Sequence, residues 1–285
     1  MFSGKSLRPR RTLYLGAALI GAIFGLLWHR HEFSISSTST GPFLGRIFQL
    51  SKTGIPNEQP YRAQIFSRDP MVIYIRSFLH KDEIDHLLRL AEGNYQQSKV
   101  YRGFDEKPIN LEIRDSQSAH IDRSDPVVRR IEKRAMEFQG WRGPDTVIEP
   151  PTIQRYAVDG FYSYHFDWDP SLTGEGGNRI TTFNVYLVGD CTGGGTNFPY
   201  LERPNDARWC DVIECTEEGM DGYQGVTFKA IPGSAVFWEN MHPNGSTHEG
   251  VYHAGLPVKS GVKVGLNIWS WDKSWKSPDV EAVMG

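Results

Sequence analysis

Tyr164-His165-Phe166-Asp167 contains a His-x-Asp pair, and a second histidine, His253, stands in Val251-Tyr252-His253-Ala254-Gly255. Two imidazoles and one carboxylate form a 2-His-1-carboxylate set, which holds a divalent metal on one side and leaves its other positions open. His165 and Asp167 are two residues apart, so on a strand both side chains leave the same face. His253 must come from elsewhere, and an antiparallel neighbour is the simplest source. On a six-coordinate iron this set leaves three adjacent positions: two for a chelating 2-oxo acid and one for dioxygen. Two neutral imidazoles and one carboxylate leave the site positively charged, which suits an anionic cosubstrate. Zinc on the same His, Asp, His set is a competing reading. Calcium fits poorly. In the EF-hand-like run from Asp167, Leu172 stands where the loop needs glycine and Asn178 where it needs glutamate.

Lys263 narrows the choice. Gly261-Val262-Lys263-Val264-Gly265-Leu266-Asn267-Ile268-Trp269 is a strand pattern with a charge inside it. A buried lysine needs an anionic partner, and the far carboxylate of a 2-oxo diacid supplies one through a charge-assisted bond. An exposed lysine on an edge strand is the alternative.

The elements that must position these residues are mostly strands. From Ile148 onward, short runs are broken by glycine: 152–157, 162–166, 180–187, 225–230, 235–238 and 262–271. Strands at this spacing predict a β-sandwich or barrel-like jelly roll. Met71–Ile75 reads as a further strand, and Arg114–Ala119 as an edge strand. Ile84, Leu87, Leu88, Leu90 and Ala91 share a helical face that Gly93 ends. Within that helix, His86 reads as a surface residue. Asp125-Pro126 opens a second helix, with Asp125 as N-cap and proline at its first position. Val127, Val128, Ile131, Ala135 and Phe138 form its buried side, and Arg129, Arg130, Lys133 and Arg134 a solvated basic face. A polar loop is expected over 101–111. The segment 205–223 reads as an insert, within which a Cys210–Cys215 bridge is possible. Asn244-Gly245-Ser246 is an N-glycosylation acceptor pattern.

The first 68 residues read differently. Lys5, Arg8, Arg10 and Arg11 precede an uncharged run over 12–28, which is at the short end of the roughly 17–25 residues that span a bilayer. A cleaved signal would need a small-x-small site after that run, and Trp28-His29-Arg30-His31-Glu32 offers none. A buried helix would rarely be apolar on every side. The expectation is therefore an uncleaved signal-anchor, with its N-terminus cytoplasmic and the catalytic part luminal. Residues 29–68 read as a flexible stem, and the catalytic domain is expected over 69–285. The net charge of -3 on 285 residues excludes a general nucleic-acid surface. Without a C-x-x-C among the three cysteines, a structural zinc site is not expected either.

The motifs occur in a recognisable order: Arg155-Tyr156-x5-Tyr162-x2-His165-x-Asp167, then Arg179-x2-Thr182-x3-Tyr186-Leu187, then Gly193-Gly194-Gly195-Thr196-Asn197-Phe198-Pro199. Ile231-Pro232-Gly233-Ser234-Ala235-Val236-Phe237-Trp238 follows, then His253-Ala254-Gly255-x-Pro257-Val258-x2-Gly261-x-Lys263, closing on Trp269. This resembles the prolyl 4-hydroxylase family of Fe(II)/2-oxoglutarate dioxygenases, in its membrane-anchored form. The resemblance implies a mainly β fold with flanking helices (α+β), a double-stranded β-helix. It implies that His165, Asp167 and His253 hold Fe(II), and that Lys263 pairs with the C5 carboxylate of 2-oxoglutarate, helped by the hydroxyls of Tyr156 and Thr196. Tyr162, Arg179 and Trp269 match positions on the peptide-substrate side. The implied activity is hydroxylation of peptidyl proline with dioxygen, ascorbate serving as reductant, in the endoplasmic reticulum membrane. The polar loop over 101–111 matches a segment that closes over substrate.

The sequence departs from the family pattern at Leu256, where cysteine is frequent, and at Val264, where tryptophan is frequent. The cysteine-bearing insert is extra, and the separate peptide-binding domain of the collagen-type α subunit is not in this sequence. Two other readings stand beside the main one. One is a 2-oxoglutarate-dependent hydroxylase of a small molecule or lipid. The other, a non-catalytic jelly-roll binding module, would need a broken ligand set, and this set is intact.

Overall fold

A computed structural model of the protein describes residues 48–49, 60–102, 105–107, 109–143, 146–168, 177–242 and 244–271. The basic tail, the apolar run over 12–28 and most of the expected stem lie outside the described residues. Among those described, no helix is long and apolar enough to cross a membrane.

Two antiparallel sheets face each other. The larger has ten strands, and its centre runs Met71–Arg76, Ala235–Glu239, Arg179–Gly193, Val258–Trp271, Thr152–Tyr156, Gln117–His120. The smaller has five, in the order Val226–Phe228, Thr196–Phe198, His253–Gly255, Phe161–His165, Arg114–Asp115. Strand alternation divides the large sheet's residues between two layers. Phe183, Val185 and Leu187, with Ile73, Ile75, Phe237, Leu266 and Ile268, pack on the helix side. Tyr74, Tyr186, Val236 and Trp238 turn the other way and meet Phe198, Val226 and Phe228 of the small sheet. Lys263 and Asn267 keep the same alternation and line the pocket between the sheets.

The helices α1 (Lys81–Ala91) and α2 (Pro126–Phe138) cover the first layer. Leu87, Ala91, Val128, Ile131, Ala135 and Phe138 are buried there, as the 3.6-residue spacing predicts. Asp125 caps α2 by accepting from the backbone N–H groups of Val127 and Val128. Asp125 Oδ2 also lies 2.9 Å from His86 Nε2, so this histidine ties α1 to the cap.

Several expectations need correction. The sheet already includes Arg62–Arg68, paired with Met71–Arg76, so folded structure begins ahead of residue 69. Its burial is intermediate along most of its length, and it lacks the apolar run that marked its neighbour. The 101–111 stretch contains a short hairpin, Val100–Arg102 with Asp105–Lys107, instead of an unbroken loop. Arg114–Ala119 divides between the sheets: Arg114–Asp115 pairs with Phe161–Tyr162 in the small one, while Gln117–His120 lies inside the large one. Arg134 does not belong to a solvated face. It is 7% exposed and bound to Glu83 through two nitrogens at 2.8 and 2.9 Å. The Cys210–Cys215 bridge is formed.

Candidate active site

The small sheet and the bend after one of its strands carry the ligand set. His165 is the last residue of Phe161–His165 and pairs in register with His253, the first residue of His253–Gly255. The antiparallel neighbour is thus the source of the second histidine, as expected. Asp167 lies two residues beyond the end of its strand. A continuous strand would have carried His165 and Asp167 on one face; instead the chain bends after the first ligand and still returns the carboxylate to it. His165 Nε2 is 3.6 Å from Asp167 Oδ1, and His253 Nε2 is 3.9 Å from Asp167 Oδ2. The imidazole centroids are 4.3 Å apart.

The donor chemistry of this cluster fits a metal ion. His165 Nδ1 donates to Ser163 O at 2.8 Å, and His253 Nδ1 to Val251 O at 2.9 Å. These bonds put the single imidazole proton on Nδ1 and leave both Nε2 lone pairs facing the carboxylate. Burial, and then His165 beside it, lower His253 to about 4, so its ring is neutral at physiological pH. Burial by itself would raise Asp167, but whenever an imidazole of the cluster takes up a second proton, His253 and His165 favour the ionised carboxylate and hold it well below the usual range. Phe198 stacks on His253 at 5.4 Å, and Tyr162 on His165 at 3.7 Å.

Lys263 stands on the adjoining pocket wall and is 3% exposed. Burial lowers it to about 8. Its Nζ lies 5.1 Å from the centre of the Tyr156 ring and 5.8 Å from that of Tyr186. Among the described residues no carboxylate pairs with it. Gly193 and Gly194, with φ of 70° and 68°, turn the chain out of the long strand and bring Thr196 into the same pocket. Thr196 Oγ1 receives bonds from Tyr186 Oη at 2.9 Å and Asn184 Nδ2 at 3.2 Å. Tyr156 donates to Gln154 at 3.0 Å. Tyr156, Thr196, Lys263 and two of the candidate metal ligands, His165 and His253, therefore line one pocket, together with Tyr162.

The remaining two expected residues form a shelf. Arg179 lies over Trp269 at 3.8 Å and makes two bonds to Glu149, at 2.8 and 2.7 Å. Despite burial, Glu149 holds Arg179 above its usual range. Trp269 is 8% exposed, and its Nε1 has no hydrogen-bond partner among the described residues. Sequence reasoning missed Glu149 and Arg114; the buried Arg114 guanidinium lies 4.5 Å from the Tyr162 ring centre. A charged residue next to a predicted strand end was the signal available for both.

Two facing antiparallel sheets, a His-x-Asp…His cluster and a buried lysine with no carboxylate partner among the described residues are the arrangement expected of a jelly-roll oxygenase that uses one metal ion and a 2-oxo acid. Residues 151–271 match the family model described as the 2OG-Fe(II) oxygenase superfamily. The chain is similar to the 2OG-Fe(II) oxygenases over these residues and is prolyl 4-hydroxylase-like, which supports a 2-oxoglutarate-dependent dioxygenase. It is 29% identical over 225 residues to "Probable prolyl 4-hydroxylase 7" of Arabidopsis thaliana, an alignment covering 76% of this chain and 67% of that one. It is 28% identical over 217 residues to "Prolyl 4-hydroxylase subunit alpha-3" of Homo sapiens, covering 74% of this chain and 35% of that one. Among solved structures, the viral collagen prolyl hydroxylase vCPH from Paramecium Bursaria Chlorella virus-1, in its 2OG complex, shares the fold. The TM-score is 0.52 at 23% identity, over 70% of this chain and 96% of that one.

Proposed function

We propose that this enzyme hydroxylates proline residues within a polypeptide substrate. His165, Asp167 and His253 would hold Fe(II), and Lys263, Tyr156 and Thr196 the distal carboxylate of 2-oxoglutarate. When bound, iron and 2-oxoglutarate supply the oxidising power: one atom of dioxygen goes into succinate, the other into a C–H bond, and carbon dioxide leaves. The chain's own residues orient and enclose the reactants. The observation that carries the reading is Lys263, a buried cation with no carboxylate partner among the described residues, in the same pocket as His165 and His253. A diacid that chelates the metal at one end and reaches Lys263 at the other satisfies both.

Support for a polypeptide target comes from the relatives' names and from the Arg179–Trp269 shelf. Its indole N–H is a buried donor with no hydrogen-bond partner among the described residues. Ascorbate belongs to the proposal as reductant. So does a single-pass type II anchor through residues 12–28, with the catalytic part in the lumen of the endoplasmic reticulum. The Cys210–Cys215 bridge favours an oxidising compartment, and the exposed Asn244 is accessible for glycosylation.

Succinate release with Fe(II) against a panel of proline-rich peptides tests the assignment. Stimulation by peptide, with a mass gain of one oxygen on proline, is the expected result. Succinate release indifferent to every peptide would sink the prolyl target and favour the small-molecule reading. Full turnover by His165→Ala would sink the iron site.

A further inference from the structure

Asp167 is held by more than the two histidines. Thr182 Oγ1 lies 2.7 Å from Asp167 Oδ2, Asn240 Nδ2 lies 3.0 Å from Thr182 Oγ1, and Trp238 Nε1 lies 2.9 Å from Asn240 Oδ1. Thr182 and Asn240 are 0% exposed and Trp238 1%, so water does not compete for these bonds. The far end fixes their direction. An indole N–H can only donate, so the Asn240 carbonyl must accept from it and the amide nitrogen must face Thr182. The Thr182 hydroxyl accepts from that nitrogen and keeps its own proton to give. Asp167 Oδ2 is the acceptor within reach. Oδ1 receives nothing from this chain of bonds and faces His165 Nε2 at 3.6 Å.

We infer that Trp238, Asn240 and Thr182 form a directional relay that fixes the orientation in which Asp167 would meet the metal. Oδ2 accepts from Thr182, and Oδ1 is outside the relay. The relay also reaches the second histidine: the Trp238 ring packs edge-on against His253, centroids 4.7 Å apart at 62°. Thr182 and Trp238 are cross-strand partners in the large sheet, and Asn240 follows directly on the strand Ala235–Glu239. The ligands come from the small sheet and the bend after it. The relay is therefore the polar link by which the large sheet sets the orientation of ligands it does not itself carry. Thr182 and Asn240 are positioning residues, acting through Asp167.

The test is a titration of the protein with Co(II) under chelator competition, together with the visible spectrum of each Co(II) form. Four proteins are compared: wild type, Thr182→Val, Thr182→Ser and Asn240→Asp. Valine keeps the shape and removes the donor. Aspartate still accepts from Trp238, but its second oxygen is an acceptor, so it draws the Thr182 proton away from Asp167. Co(II) affinity should fall roughly 10- to 100-fold in Thr182→Val and Asn240→Asp, with a spectrum of altered coordination, and Thr182→Ser should retain both. Wild-type affinity and spectrum in Thr182→Val would overturn the relay. So would a serine variant as impaired as the valine one, since that would make the effect one of packing. A loss of affinity that only tracks a fall in Tm counts against it in the same way. Should Thr182→Val fail to fold, Asn240→Asp and Thr182→Ser decide the question. The relay rests on the metal reading of the triad, which is tested separately: failure of wild-type protein to bind Co(II) would overturn the triad itself.

Discussion

Arg134 and Lys263 are both cations removed from water, 7% and 3% exposed, and the fold treats them in opposite ways. Arg134 lies between the two helices and is fully occupied. It makes two bonds to Glu83 and a third to the Phe78 carbonyl at 2.8 Å. Glu83 in turn accepts from the His80 backbone N–H. Burial would raise the Glu83 carboxyl, but Arg134 and His80 hold it below its usual range, so the pair stays charged. Lys263 has two aromatic rings for company and no carboxylate among the described residues. A charge that the protein satisfies internally serves the fold; a buried charge left unsatisfied marks the place of a ligand.

Removing one partner from the helix pair should have the largest effect on stability. Arg134→Met leaves the Glu83 carboxylate with the His80 N–H and the half-exposed Arg130 at 3.5 Å, so the loss should approach but not exceed the about 3–5 kcal/mol of a broken buried pair. Urea unfolding should show that loss, while the Kd for 2-oxoglutarate of the folded fraction stays near wild type. Combining it with Glu83→Leu should recover most of the loss, because similar apolar pairs replace buried ion pairs at little cost. If Arg134→Met weakens 2-oxoglutarate binding as strongly as it weakens the fold, the separation between the two cations breaks down.

Lys263→Met should reverse that pattern. Losing one partner of a buried charged contact costs about 2–5 kcal/mol of binding, so 2-oxoglutarate affinity should fall at least thirtyfold. Stability should not fall with it. Burial takes Lys263 from the 10.5 of a free lysine to about 8, which corresponds to roughly 3 kcal/mol against the charged form. Ligand-free Lys263→Met should therefore be as stable as wild type or more so at pH 7, by calorimetry. A clear drop in Tm would mean that Lys263 has an internal role like that of Arg134.

Much of this comparison was legible in the sequence and part of it was not, for a physical reason. Lys263 stood out because a charge interrupted a strand pattern, and His165, Asp167 and His253 because their chemistry is local and their spacing short. The strands carrying them, both helices and the Asp125 cap follow from periodicity and from a side chain bonding its own backbone. Arg134 was read as solvated because its partner, Glu83, is on another helix 51 residues away. The same holds for Glu149 with Arg179, and for Thr182, Asn240 and Trp238 behind Asp167. Each is an ordinary residue in its own segment and gains its meaning from a contact across the fold. Arg62–Arg68 was missed for a related reason: its place in the sheet is supplied by the neighbour it pairs with.

The smallest effect is on pH dependence, and it sharpens the contrast because only the unpaired cation should produce it. Below about pH 8 the ligand-free Lys263 is already protonated, and the affinity for 2-oxoglutarate should be flat from this group. Above that value a proton must be taken up with the ligand, and affinity should fall by up to about tenfold per pH unit. The stability of ligand-free protein should move the other way. The folded-state pKa is depressed below the unfolded one, so between about 8 and 10.5 the unfolded chain binds the extra proton. Stability contributed by this group thus rises with pH across that window. Isothermal titration of wild type and Lys263→Met across pH 7 to 9.5 checks both halves: the slope should appear in wild type and vanish in the variant. A slope that persists in Lys263→Met would assign the titration to another group.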